Sequence, residues 1–211
     1  MAKTDNLQDF LTDVANAIRT KTQTTEPINA QDFSAKILNI QTGGGGNTLK
    51  NLLDATKSCY YLFNKYNGNS VDSLIRPGDT ENVIDMSYMF YKCSSLKTIP
   101  QLNTSNVKDM SAMCVSCYAL TTIPALDMNN VNYATNMFNN CGMLKSILMT
   151  NIGTNLNISA STKFEREDLL IILNNLKTVT STQTLTMGTT NLAKLTDEDK
   201  AIATNKGWTL A

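Results

Sequence analysis

Cys114 and Cys117 stand with two residues between them in "DMSAMCVSCYAL" (Asp109 to Leu120), the spacing of half a zinc site or of a redox pair. A zinc site needs more ligands than that pair, and the chain of 211 residues holds five cysteines and no histidine. Without histidine the commonest metal ligand is missing, and so is the usual general base for a serine or cysteine nucleophile. The expectation is a non-enzymatic protein with no catalytic residue, no metal and no cofactor. The opening "MAKTDNLQDF" has neither the basic nor the apolar region of an export signal, so the thiols are expected to be reduced. Two other features could do chemistry. The acidic run Asp197–Asp199 could supply carboxylates, but it also suits a helix N-terminus, where the macrodipole favours negative charge. Trp208 could stack on a ligand or plug the end of a core.

Charge and hydropathy narrow the partners. Eighteen acidic and eighteen basic residues cancel, leaving no bulk field to draw nucleic acid or an anionic membrane. The longest apolar run, "LLIIL" (Leu169 to Leu173), is far too short to cross a bilayer, so no membrane insertion is expected.

What positions the cysteines is a repeat. The stretches "NVIDMSYMFYKCSSLKTIPQLNTS", "NVKDMSAMCVSCYALTTIPALDMN" and "NVNYATNMFNNCGMLKSILMTNIG" begin at equal intervals, at Asn82, Asn106 and Asn130, and align without a gap. Met89, Met113 and Met137 share a column, as do Cys93, Cys117 and Cys141, then Leu96, Leu120 and Leu144, then Ile99, Ile123 and Ile147. Such units bury an apolar face only by stacking on the same face of the next, which is the logic of a solenoid. In this register Cys114 takes the place of Phe90 and Phe138. Both cysteines then read as small buried hydrophobes, with a metal as the weaker alternative.

Within each unit the "LxxI" segment reads as a strand, at about 95–99, 119–123 and 143–147, and "MSYMFYKC" reads as one or two helical turns. The asparagine column predicts a ladder of side-chain hydrogen bonds to neighbouring backbone. Upstream, residues 58–75 fit the pattern three residues out of phase, with Tyr61, Leu62, Phe63 and Tyr66 under Tyr88, Met89, Phe90 and Cys93. That stretch reads as an atypical capping unit.

The ends differ. In the N-terminal part Leu7, Phe10, Leu11, Val14 and Ile18 form one helical stripe and Phe33, Ile37 and Ile40 a second. Two helices so short cannot hold a core alone, so they are expected to attach to something else. "GGGG" (Gly43 to Gly46) reads as a hinge; no Lys-Ser/Thr pair follows it, which rules out a phosphate-binding loop. Near the C-terminus, Thr162 with Glu165 and Thr196 with Asp199 predict capping boxes for helices at about 163–176 and 197–205. "QTLTM" (Gln183 to Met187) and "GWTL" predict strands.

The "NVxDMSxMFxxCxxLxxIP" units resemble the short, BspA-type leucine-rich repeats of bacterial surface proteins. The N-terminal "LxDVANAIRTKTxTTEPINAQDFSAKIxNIQ" is similar to a module that opens tail-associated proteins of phages and prophages of Gram-positive bacteria, and "TNLAKLTDEDKAIATNKGWTLA" resembles an ending found in the same setting. The fold class expected is α/β, a leucine-rich-repeat solenoid with a short strand and a short helix per repeat, preceded by a small α-helical module. Its divisions would be a helical attachment module at 1–42, a Gly-rich linker at 43–48 and a repeat domain at 49–211. Within that domain a capping unit spans about 55–80, the repeats 82–105, 106–129 and 130–153, and C-terminal capping units 154–211.

The resemblance implies a binding protein of a phage tail or baseplate, located in the virion. Its partners would be other tail proteins and a host-surface glycan or protein, and it would form a homo-oligomer, a trimer ahead of other states. The alternative is a bacterial leucine-rich-repeat protein that binds a protein partner or serves as an adhesin on the cell surface. Contacts are expected at outward positions: Tyr88, Tyr91, Tyr118 and Tyr133 on the turns, and Lys97, Thr98, Thr121, Thr122, Lys145 and Ser146 on the strands.

Overall fold

A fixed sequence period brings like positions together only if the backbone advances by the same step, and the pairing follows that register. The computed structural model describes residues 48–211. The apolar stripes from Leu7 to Ile40 and the tetraglycine lie outside the described residues. Thr98 pairs with Thr122, and β1 (Thr122–Ile123) pairs in parallel with β2 (Ser146–Ile147), each step matching a 24-residue period. A second line of parallel pairing joins Ser58, Asp85, Asp109 and Tyr133. Its first step, from Ser58 to Asp85, is longer, and this is the offset that puts Tyr61 under Tyr88.

The space within each coil is filled by the repeating apolar columns. Met86, Met89, Phe90, Cys93, Leu96 and Ile99 are buried in the first coil, and their counterparts Met110, Met113, Cys114, Cys117, Leu120 and Ile123 in the second. Phe63 stacks flat on Phe90 one coil away, with ring centres 5.5 Å apart. The asparagine column forms a side-chain ladder at the coil edge. Asn82 Nδ2 donates to Asp54 Oδ1, Asn106 Nδ2 to the Glu81 carbonyl and Asn130 Nδ2 to the Ser105 carbonyl, at 2.6–2.9 Å.

The expected helical turns do not form. Residues 87–92 make successive tight turns, because Tyr88 and Lys92 have φ of 58° and 59°, as do their counterparts Ala112 and Ser116 at 55° and 60° and Asn136 and Asn140 at 58° and 62°. Each left-handed residue breaks a right-handed helix. The hydrogen bonds give the reason. The N–H groups of Met86, Tyr88, Phe90 and Lys92 donate to the carbonyls of Asp109, Ser111, Met113 and Val115 in the next coil, at 2.8–3.0 Å. Those of Met89, Tyr91 and Cys93 turn back to Met86, Tyr88 and Phe90. A helix would satisfy all of these donors internally and leave the coils unjoined.

Both ends are covered. At the N-terminal end, Leu49 and Leu53 of α1 (Thr48–Thr56) are buried against the first coils. At the other end the strands β3 (Leu156–Asn157), β4 (Gln183–Thr186) and β5 (Trp208–Leu210) form a parallel sheet in that order. Around it lie α2 (Arg166–Asn174), α3 (Thr189–Leu192) and α4 (Asp197–Thr204). α2 starts later than its Thr162–Glu165 pattern predicts: the Glu165 N–H donates to Asp168 Oδ2 at 3.0 Å, making Glu165 the cap. The fully buried Phe164 takes the chain into the core before the helix begins, and Lys194 Nζ ties down the carbonyls of Thr162 and Phe164. The Thr196–Asp199 box forms as expected. Gly207 has φ of 85°, and a Cβ there would lie 2.6 Å from the Val179 carbonyl, so only glycine lets β5 begin. Trp208 is 3% exposed, with Nε1 donating to the Lys177 carbonyl at 2.8 Å, which assigns it to packing.

Ala112 tests the turn geometry, because left-handed backbone disfavours β-branched residues and is tolerated best by glycine and asparagine. Ala112→Val is expected to lower unfolding free energy in urea by roughly 1–3 kcal/mol. Ala112→Asn, the residue of the next coil in that column, is expected to cost less than the valine.

Candidate functional site

The five thiols are all free and buried, and the repeat explains their contacts. Cys93 Sγ donates to the Phe63 carbonyl at 2.8 Å, Cys117 Sγ to the Phe90 carbonyl at 3.1 Å and Cys141 Sγ to the Cys114 carbonyl at 3.0 Å. One column of thiols thus bonds to the next column of carbonyls, one coil back. Burial pushes the Cys93 and Cys141 thiols up to about 12. Burial also raises Cys59, while Cys114 is raised first by its hydrogen bond with the Cys117 side chain and then by burial. Thiols held neutral in this way are poor nucleophiles and poor metal ligands. Among the described residues, no group of three or more His, Cys, Asp or Glu side chains could hold a metal ion.

The acidic run has a structural task. Asp199 Oδ2 accepts from the Thr196 N–H and from Arg166 Nε, and Oδ1 accepts from Arg166 Nη2 at 2.6 Å. The Arg166 guanidinium holds the Asp199 carboxyl below its ordinary range, so it stays a carboxylate while it ties α2 to α4.

The outward positions separate into groups. Tyr88 and Tyr91 are half-buried, because they pack with Tyr60 and Tyr61. Tyr61 lies flat on Tyr88 with ring centres 4.9 Å apart, close to the spacing of adjacent strands, since the two occupy one column in successive coils. Tyr60 meets Tyr88 and Tyr61 meets Tyr91 edge-on at 5.6 Å, and Lys92 Nζ sits 5.1 Å from the Tyr91 ring centre. Tyr60 and Tyr61 were absent from the sequence expectation, although the offset alignment already set Tyr61 beneath Tyr88.

Lys97, Thr98 and Lys145 are exposed and Thr121, Thr122 and Ser146 half-buried, along the line where Thr98, Thr122 and Ser146 pair. Thr121 Oγ1 donates to the Lys97 carbonyl at 3.2 Å, so part of its polarity serves the stack. Tyr118 and Tyr133 project furthest, 57% and 61% exposed, and neither joins the tyrosine cluster. Tyr118 instead forms one wall of a cleft of about 360 Å³.

This stack of coils coincides with a family match. Residues 57–168, just over half of the chain, match a family described as "Mycoplasma protein of unknown function, DUF285". The chain belongs to the DUF285 family. No curated protein and no solved structure matches it. The DUF285 segment runs from the long first step through the three regular coils and stops inside α2. The family is associated with BspA-like repeat proteins.

The thiols yield a measurement with a definite sign. Folded Cys93 and Cys141 keep their protons up to about 12, whereas unfolded thiols ionise from their ordinary value of 9.0. Their contribution to stability is therefore constant below about pH 9 and falls as the pH rises from 9.0 to about 12. Near neutral pH a chromogenic disulfide reagent is expected to react only after unfolding. Cys117→Ala is expected to cost about 1–3 kcal/mol in a urea melt, with no metal in the native protein by elemental analysis.

Proposed function

We propose that this protein is a non-enzymatic, tail- or baseplate-associated binding protein of a phage or prophage. Its coils form a leucine-rich-repeat solenoid whose outer surface contacts a host-surface glycan or protein. Its N-terminal segment fastens it to the particle or to sister copies, as a homotrimer. The observation that carries this reading is the contrast between the two sides of the coils. The inward columns repeat Met, Cys, Leu and Ile, while an exposed column in the same register runs Ser94, Tyr118, Gly142. A fixed interior under a varied exterior supports recognition by surface, where several weak contacts gain from being held on one particle. The resemblance of residues 11–41 to a phage tail module supports the attachment role.

Deleting residues 1–46 tests both halves. The shortened protein is expected to be missing from purified particles yet to sediment with host-cell envelopes as the full chain does. Incorporation of the shortened protein overturns the attachment role, and failure of the full chain to sediment with envelopes overturns the adhesion role.

A further inference from the structure

The ladder of alternate N–H groups stops at the third coil. In the second coil Met110, Ala112, Cys114 and Ser116 donate to the carbonyls of Tyr133, Thr135, Met137 and Asn139. The matching donors of the third coil are the N–H groups of Ala134, Asn136, Phe138 and Asn140, and they have no acceptor among the described residues. By the repeat they are directed to where a fourth run of turns would lie.

At this unextended edge is the cleft of about 360 Å³, bounded by Tyr118, Asn136, Asn139 and Asn140 on the coil side and by Asn157 and Ser159 across from them. Its far wall is fixed: Asn157 Oδ1 accepts from the Ser159 N–H at 2.9 Å and from its hydroxyl at 2.8 Å. Asn140 Nδ2 rests on Ser116 Oγ at 3.4 Å, while the side-chain amides of Asn136 and Asn139 are exposed, with no partner among the described residues.

We infer that this cleft binds a neutral sugar unit of a cell-envelope polysaccharide. The inference rests on the adhesion reading and names its ligand. No lining residue is charged, so the site has nothing to balance an ionic ligand. Carboxamides both donate and accept, as sugar hydroxyls do, and the open backbone N–H groups add donors for ring and hydroxyl oxygens. Tyr118, more than half exposed, offers an aromatic face to the apolar C–H face of a pyranose. The volume is at the small end of ligand sites. An added peptide strand fits less well. Its carbonyls would have to follow a path of successive turns, and the wall at Asn157 and Ser159 bars an extended chain.

Two variants of the full chain test the cleft by different routes. Tyr118→Ala removes the aromatic wall. Gly142→Gln fills the cleft and leaves the other lining residues in place; a Cβ on Gly142 meets only the Ala160 carbonyl, at an ordinary 3.7 Å. The probes are methyl glycosides of glucose, galactose, N-acetylglucosamine and N-acetylgalactosamine, observed by saturation-transfer NMR, with thermal melts as the control for folding. At least one glycoside is expected to receive saturation from the wild type, and both variants to bind it about tenfold more weakly with unchanged melting. Silence of all four glycosides overturns the inference, as does binding that neither variant weakens, or competition by an uncharged extended peptide that displaces the sugar. If the variants sediment with envelopes as the wild type does, the cleft is not the adhesive site while adhesion stands. If the wild type itself fails to sediment, the adhesion reading is what falls.

Discussion

In the first and second coils alternate backbone N–H groups leave to join the next coil and those between them turn back, and most other features follow from that division. A chain that sends every second donor outward over residues 86–92 cannot be helical, and it is too tightly turned to be a strand. It needs left-handed residues at fixed points, and here those points are filled by Tyr, Lys, Ala, Ser and Asn without a single glycine. Left-handed backbone costs roughly 1–2 kcal/mol for each such residue. The inter-coil bonds and the packing of buried Met, Phe and Cys beneath them offset that cost, since abandoning the turn would strand buried backbone donors. The thiol columns belong to the same economy of hydrogen bonds. Cys93, Cys117 and Cys141 give their weak donors to carbonyls of the preceding coil and fit where a larger polar group would not.

Register was the most legible property of the sequence. Gap-free columns from Asn82 to Ile147 force equivalent residues to lie one above another, and the longer offset of Tyr61 and Phe63 was visible for the same reason. Local conformation was less legible. Met and Phe at spacings of three and four fit a helical face, but two tight turns in succession place residues three apart on one side as well. Periodicity could not separate them. The distinguishing signal was Asn136 and Asn140, residues that tolerate left-handed backbone and share columns with Tyr88 and Lys92. At the C-terminal end, Thr196 capped α4 as read, whereas Thr162 lost its helix because burial of Phe164 outweighed a local capping preference. β3, only two residues long, carried no pattern that could have announced it.

For the surface, sequence identified outward positions but not their company. Tyr88 and Tyr91 read as free contacts, yet the stacking that defines the coils presses them against Tyr60 and Tyr61 and hides part of each ring. Tyr118 and Tyr133 kept their exposure because Ala, Ser and Asn, in place of Tyr and Lys, fill the left-handed positions of the second and third coils from which an aromatic cluster could grow. The cleft beside Tyr118 was not readable at all. It depends on Asn157 and Ser159 lying opposite the third coil, and residues after Leu156 no longer follow the register of the repeat.

A stack of this kind must end somewhere, and the manner of ending decides what is left over. The β1–β2 ladder itself ends at Ile147, but beside it parallel pairing passes on: Asp127 pairs with Thr150, Ile152 with Leu176, and the separate sheet of β3, β4 and β5 carries the parallel direction to the C-terminus. On the turn side nothing continues it, because the chain after residue 156 goes to β3, α2 and the closing sheet. The two sides of one coil therefore end differently. After residue 147 one is followed by further parallel pairing at Thr150 and Ile152, and the other keeps a row of N–H donors beside asparagine amides. An edge of this sort is a liability when it is long, flat and apolar, since another chain can pair with it. Here it is short, turned and walled by Asn157 and Ser159, so the same unpaired donors favour a compact polar ligand over a second strand.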